Sequence, residues 1–222
     1  VIDTKRKTLA LIHTSATLEP VFAKLCADMD LAVDLVHIAD DSLIRDVIAE
    51  GQLTELTSER VQAHITAAEK ANADYIMVTC SSIGPAVDSA KRSGSVPILR
   101  VDQPMADQAV RIGNRVGVIA TLQTTLVPTA DLIRRRAAEA EKQVEITAEL
   151  CTGAFEALMS GNVTEHDAAV IRALRSLSDK VDVIVLAQAS MARVIEQIPK
   201  EEIKIPILAS PPIAVDFLKH VL

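Results

Sequence analysis

Laid over itself with a shift of 108 residues, the chain matches itself at its most apolar stretch. Ala73-Asp-Tyr-Ile-Met-Val-Thr-Cys80-Ser-Ser82-Ile83 falls on Val181-Asp-Val-Ile-Val-Leu-Ala-Gln188-Ala-Ser190-Met191. The same shift puts Thr17-Leu18-Glu19-Pro20 on Thr125-Leu126-Val127-Pro128, and Thr8–Ile12 on Val116–Ala120. A shift of 110 puts Gly51–Glu55 on Gly161–Glu165, and one of 109 puts Val96–Leu99 on Ile205–Leu208. The matches keep their order at nearly constant spacing, which coincidence explains poorly. The chain therefore reads as two similar halves. The period is too long, and the copies too few, for a solenoid.

Each half reads as strands alternating with helices. In the first, short apolar runs mark strands at Leu9–Ile12, Val33–Val36, Tyr75–Thr79 and Val96–Leu99. Helices are expected from Leu18, with Pro20 in the first turn, over Leu43–Glu50 up to a stop at Gly51, over Ser58–Ala71, and from Pro85 to about Arg92, before a turn at Ser93-Gly94. In the second half, strands are expected at Arg115–Ala120, Val144–Thr147, Val181–Ala187 and Ile205–Leu208. Helices are expected from Leu126 to about Glu141 with Pro128 in the first turn, at Phe155–Ser160, at Glu165–Asp179, and from Ile213 to the end. This alternation implies parallel sheets with helices on both faces. The expected fold is α/β: two pseudo-symmetric Rossmann-like domains, each a roughly four-stranded parallel sheet flanked by helices. The first spans residues 1–102, completed by a C-terminal helix over 211–222, and the second spans 103–210. Ligands in such folds sit beyond the carboxyl ends of strands. Two halves facing each other would line an interdomain cleft with His13–Thr17, Thr79–Ser82, Thr121–Thr125 and Gln188–Ser190.

Composition narrows the function classes. Apolar residues make up 49% of the 222, and with three Phe, one Tyr and no Trp the core is aliphatic. The formal charge is −7 and no basic cluster alternates with aromatics, so nucleic acid is not an expected partner. No apolar run is long enough to span a membrane, and Val1–Lys7 lacks the apolar core of a signal peptide. Three cysteines without zinc spacing argue against a disulfide framework or a metal site. No Gly-rich phosphate loop is present, so nucleotide cofactors are not implied. A cytoplasmic protein with reduced thiols fits these totals.

Chemistry concentrates after the third strand. Thr79-Cys80-Ser81-Ser82 separates a strand's carboxyl end from a helix's amino end. Helix amino ends carry free N–H groups and partial positive charge, which favour a thiolate and attract anions. The competing reading of Cys80 is a small buried hydrophobe, which is the reading preferred for Cys26 and Cys151. His13, at the end of the first strand, is the alternative acid/base, because an imidazole titrates near neutrality. A hydrogen-bonded structural role is the other reading, and it is preferred for His37. His64, His166 and His220 fall on helical segments and are expected to face solvent. Thr14, Ser15, Ser81, Ser82, Thr121, Thr124, Thr125 and Ser190 all lie in strand-to-helix loops. There they serve as helix caps, as ligands for carboxylate oxygens, or as both. Arg100 is read as pairing either with a substrate carboxylate or, across the domains, with an acid such as Asp102.

Taken together, these residues resemble the aspartate/glutamate/hydantoin racemase superfamily over essentially the whole chain. Members carry a Cys after the third strand of each half. Thr79-Cys80-Ser81-Ser82 matches the first, while Leu186-Ala187-Gln188-Ala189-Ser190-Met191 occupies the second. Ala120-Thr121-Leu-Gln-Thr124-Thr125 looks like the family's Gly-Thr-x-x-Thr substrate loop. The resemblance implies a homo-oligomeric, cofactor-independent enzyme that moves a proton at a carbon next to a carboxylate. It makes Cys80 the catalytic group, and His13, from its place at a strand end, could supply the proton relay that a second Cys would give. Thr14, Ser15, Ser81, Ser82, Thr121, Thr124, Thr125, Gln188 and Ser190 would bind a small carboxylate-bearing substrate. Two-thiol racemisation needs two acid/base groups, and the carboxamide of Gln188 is neither acid nor base near neutrality. It can only hydrogen-bond a carboxylate or enolate oxygen. Two alternatives follow: a single-Cys decarboxylase or lyase acting on a malonate-like acid, and a small-molecule binding protein without catalysis.

Overall fold

A computed structural model describes residues 6–90, 96–199 and 201–222. Contacts divide it into two compact units: the chain up to Val101 together with Ala214–Leu222, and Asp102–Ile213. The chain first forms β1 (Lys7–His13), α1 (Leu18–Asp28), β2 (Val33–Ala39), α2 (Asp41–Glu50), α3 (Glu55–Lys70), β3 (Tyr75–Val78), α4 (Gly84–Ala90) and β4 (Ile98–Arg100). It continues through α5 (Gln103–Ile112), β5 (Arg115–Ala120), α6 (Gln123–Glu139), β6 (Glu145–Leu150), α7 (Ala154–Met159), α8 (Val163–Ser178), β7 (Val183–Leu186) and β8 (Ile207–Ala209). It ends in α9 (Ser210–Val221), which from Ala214 onward belongs to the first unit. Two four-stranded sheets result, ordered β2-β1-β3-β4 and β6-β5-β7-β8, and every pairing is parallel.

Alternation along the strands explains the layering. In the first sheet, Ala10, Ile12, Ile76, Val78 and Ile98 point to one face, where Leu43, Val47, Val61 and Ile65 of α2 and α3 cover them. Leu9, Leu11, Met77 and Leu99 point to the other face, under Phe22 of α1 and Ala214 and Leu218 of α9. A parallel strand buried on both faces reads as a continuous apolar run because each side of its two-residue period meets a helix. The second sheet behaves alike. Val116, Val118, Val183 and Val185 lie under α5 and α6, while Ile119, Ile184 and Leu186 lie under α8.

Pairing refines the alignment of the two halves. Thr79 N–H donates to Ile12 O at 3.0 Å, and Ala187 N–H donates to Ile119 O at 2.9 Å. The third strands therefore correspond at a shift of 108, but the first strands at 107, one residue less than sequence matching gives. In the aligned halves His13 thus corresponds to Ala120, not Thr121.

Three local expectations change. Helix α5 was not expected, although its Pro104 sits in the first turn and Met105, Ala106, Ala109 and Val110 form a buried stripe. Helix α6 begins at Gln123, so Pro128 is its sixth residue, inside the helix, and has no N–H to give the carbonyl of Thr124. The segment Ala189–Gln197, after β7, is a nine-residue 3-10 helix. The expected helix end near Arg92 and the turn at Ser93-Gly94 lie outside the described residues.

Arg100 is the largest fully buried side chain of the first unit, and its Nη1 donates to Asp88 Oδ2 of α4 at 2.6 Å. Its guanidinium lies on Gly84, where an added Cβ would collide with it. The ion pair with Asp88 is internal to the unit, and the guanidinium is closed off from solvent.

Candidate functional site

In each sheet the chain leaves the second-positioned strand in opposite directions, so the switch point lies between β1 and β3 in one and between β5 and β7 in the other. Those are the places where open α/β sheets gather ligand-binding residues at the strands' carboxyl ends. Both switch points are bridged by side chains.

In the first unit the bridge is a chain of three groups. His13 Nδ1 is 2.9 Å from Thr79 Oγ1, and His13 Nε2 is 2.9 Å from His37 Nδ1. Thr79 Oγ1 in turn donates to Ile12 O at 3.1 Å. A hydroxyl has one proton, so Thr79 accepts from His13 Nδ1–H, and His13 Nε2 then accepts from His37 Nδ1–H. This arrangement satisfies every contact with both imidazoles neutral. The two rings stack with centroids 5.2 Å apart. Burial, with the neighbouring His37, lowers the His13 pKa to about 4. Both His13 nitrogens are thus taken by Thr79 and His37, and the ring is uncharged at neutral pH.

Stability should record this. An unfolded imidazole takes a proton below about pH 6.5, whereas folded His13 resists until about pH 4. The unfolded state binds more protons across that window, so stability is full above pH 6.5 and falls by about 3 kcal/mol toward pH 4. Denaturant titrations should show that slope reduced in His13→Gln. Equal slopes in the two proteins would remove His13 as its source.

Cys80 follows Thr79 in extended conformation, and a 3-10 turn over Ser81–Ile83 leads into α4. Of the three free cysteines, Cys26 and Cys151 are buried and Cys80 is partly exposed. Burial raises the thiol of Cys26 and, with Glu149 nearby, pushes that of Cys151 up to about 11. Ser81, Ser82 and Thr14 are buried. Ser15 Oγ is 2.9 Å from Thr17 Oγ1, and Ala16 N–H donates to Asp41 Oδ1 at 2.9 Å, which ties the β1 loop to the start of α2.

The second unit's bridge is shorter. Gln188 Oε1 accepts from Thr121 N–H at 2.6 Å and from Thr121 Oγ1 at 3.0 Å. Because a backbone N–H can only donate, the facing atom must be the amide oxygen. That fixes the carboxamide with its NH2, a double donor, turned away from Thr121. Thr125 is buried, and the Thr124 hydroxyl is buried without a hydrogen-bond partner. Ser190 O accepts from Arg193 Nη1 at 2.9 Å.

Two polar clusters escaped the sequence reading. Asp40, at the end of β2, caps α2 through Ser42 N–H at 3.1 Å. It also accepts from Ser42 Oγ, from Arg60 Nη2 at 2.8 Å and from His64 Nε2 at 2.9 Å. Burial opposes its ionisation, yet these donors outweigh burial and hold the carboxyl well below the usual range. His166, expected in solvent, is fully buried, with Nδ1 2.7 Å from Asp167 Oδ1. It lies four residues before Val170 and seven before Ala173, both on the buried stripe of α8, which is why it turns inward. His64 is half-buried on Asp40, and His220 is exposed.

Among the described residues, no three His, Cys, Asp or Glu side chains are grouped to hold a metal, and no helix is long and apolar enough to cross a membrane. A cavity of about 500 Å³, lined by Asp107, Val110, Arg111, Arg136, Glu139 and Lys142, lies where α5 and α6 end. The end of α5 leads into the start of β5, so this cavity is at the amino ends of the strands, the opposite end from Gln188.

The fold is shared with solved racemases. Glutamate racemase RacE1 from Bacillus anthracis superposes with a TM-score of 0.71 at 16% identity, over 98% of this chain and 82% of that one. Allantoin racemase from Klebsiella pneumoniae gives 0.68 at 15% identity, over 97% and 87%. Aspartate racemase from Picrophilus torridus gives 0.72 at 15%, over 96% and 94%. Comparison with curated proteins gives no significant match. The sequence profile of Asp/Glu/hydantoin racemases matches residues 9–218. With nearly the whole chain matched and both sheets ordered as described, the chain belongs to the Asp/Glu/hydantoin racemase family.

Proposed function

We propose that the protein is a cofactor-independent enzyme that transfers a proton at a carbon alpha to a carboxylate, with Cys80 as the acid/base. The observation that carries this is the placement of Cys80. It is the partly exposed thiol of the three, it stands at the carboxyl end of β3, and it adjoins the His13–Thr79 bridge at the switch point. Ser81, Ser82 and the Gln188 NH2 supply hydrogen bonds to substrate oxygens and stabilise the negative charge that develops as the carbon is deprotonated, while Thr121, both of whose donors go to Gln188 Oε1, holds that carboxamide in place. Thr14 and Ser15 in the first unit, and Thr124, Thr125 and Ser190 in the second, add further polar groups to the strand-to-helix loops of their own unit. His13 acts through its fixed tautomer, holding the Thr79 hydroxyl beside the thiol's backbone, and does not itself carry the proton.

A second reading is favoured by one observation. Gln188, whose oxygen is held by Thr121, is no acid/base. A single thiol that protonates one face suits decarboxylation of a malonate-like acid, or a lyase reaction, as well as racemisation. Single enantiomers of amino and hydroxy acids, with substituted malonates alongside, separate the two when products are resolved by chiral chromatography and carbon dioxide is measured. Loss of optical purity without carbon dioxide identifies a racemase. Release of carbon dioxide with one enantiomer formed identifies a decarboxylase. Tight binding of an acid from the panel with neither outcome would favour a binding protein.

A further inference from the structure

The segment after Gln188 is built unlike the rest of the unit. Ala189–Gln197 is a 3-10 helix of nine residues, whereas such helices seldom exceed three or four because their hydrogen-bond geometry is poor. Backbone preference alone does not hold it. Two apolar anchors, Met191 and Val194, are fully buried against α8. The polar anchor is one carboxylate. Asp167 of α8, its side chain 8% exposed, accepts from Arg193 Nη2 at 2.7 Å and from Gln197 Nε2 at 2.6 Å, so it grips the segment at two points. His166 Nδ1, 2.7 Å away, completes the set, while its Nε2 is buried without a partner. Burial opposes ionisation of Asp167, but the donors Gln197, His166 and Arg193 hold it below the usual carboxylate range. Arg193 is shared: its Nη1 also donates to Ser190 O at 2.9 Å. Met191 N–H donates to Gln188 O at 3.1 Å. A continuous line of hydrogen bonds thus runs from α8 through Arg193 to the residues that follow β7.

We propose that Asp167 and Arg193 are positioning residues that latch the segment Ala189–Gln197 and thereby fix where Ser190 and the Gln188 carboxamide present their donors. The functional half of this inference rests on the reading of Gln188 and Ser190 as substrate-oxygen ligands. The mechanical half does not. An Arg spans Asp167 and the Ser190 carbonyl because its planar fork offers several donors in fixed directions, which a lysine lacks.

The test compares wild type, Asp167→Asn, Arg193→Lys and the control Asp131→Asn, whose carboxylate is in an exposed ion pair with Arg134. Amide hydrogen exchange is followed by mass spectrometry without ligand. Peptides covering 189–197 should exchange about 10- to 100-fold faster in Asp167→Asn and Arg193→Lys, the scale expected from losing hydrogen bonds to a charged group. Peptides of β5 and β7 should stay protected in all four proteins, which shows that they are folded. The side-chain NH2 signals of Gln188 in ¹H–¹⁵N spectra should shift or broaden in the two latch variants and not in the control. Unchanged exchange over 189–197 overturns the latch. Faster exchange with unmoved Gln188 signals overturns its positioning role and leaves a merely structural one. Neither readout needs turnover, so an inactive wild type would overturn the enzymatic reading alone.

Discussion

Replacing Arg100 with alanine is expected to lower the unfolding free energy by about 3–5 kcal/mol. The side chain is 1% exposed and pairs with Asp88, whose own side chain is 23% exposed. Removing it opens a cavity beneath the start of α4 and leaves a partly buried carboxylate without this partner. Packing and charge act together, so the two can be separated. Arg100→Met with Asp88→Asn keeps most of the volume and removes both charges of this pair, and it should recover part of the loss. Gly84→Ala strikes the same lock from the other side. Its added Cβ must displace a guanidinium that is the far end of a flexible side chain, but one that is buried and tethered. Overpacking of this kind costs about 1–3 kcal/mol. Urea unfolding of the three variants beside the wild type checks the set. A cost below 1 kcal/mol for Arg100→Ala would show that the site relaxes around the loss.

Replacing Cys80 with serine should lower turnover by about 10²- to 10⁴-fold, the range associated with losing a positioned acid/base. A hydroxyl is far weaker than a thiol as an acid near neutrality, yet it keeps the size and hydrogen bonding of the side chain. Substrate binding, measured by calorimetry, should therefore stay within a few-fold. The chain around Cys80 is rigid enough for this to be a chemical effect: Thr79 is pinned to His13 and Ile12, and Ile83 is fully buried. Undiminished turnover would remove Cys80 from the mechanism. Loss of binding together with turnover would make it a ligand contact.

The layered fold was legible because both periods survive in the sequence. Strands such as Tyr75–Val78 and Val183–Leu186 are unbroken apolar runs, since helices cover both faces of each sheet. Helix α5 was readable too, from Pro104 and the stripe at 105, 106, 109 and 110, and from the repeat itself, since the shift of 108 puts Pro104 and Ala106 on Pro212 and Ala214 of α9. Pro128 misled through the same repeat: matched with Pro20, it implied a first turn, although Pro20 is the third residue of its helix and Pro128 the sixth. The site was legible only as a set of loops. That His13 meets Thr79 and His37 depends on β1 lying between β2 and β3, and strand order is not written in local periodicity. The buried pair His166–Asp167 did leave a trace, since both residues fall on the apolar stripe of α8. A charged residue on such a stripe needs partners, and Arg193 and Gln197 come from a different segment, so the sequence of α8 does not name them.

The central claim is that Cys80 moves a proton at carbon. Its most direct test is incubation in heavy water with a panel of amino acids, hydroxy acids and substituted malonates, followed by NMR for wild type and Cys80→Ala. The account predicts deuterium at the carbon next to a carboxylate with the wild type, and loss of that label with Cys80→Ala. Label appearing equally with both proteins would contradict it.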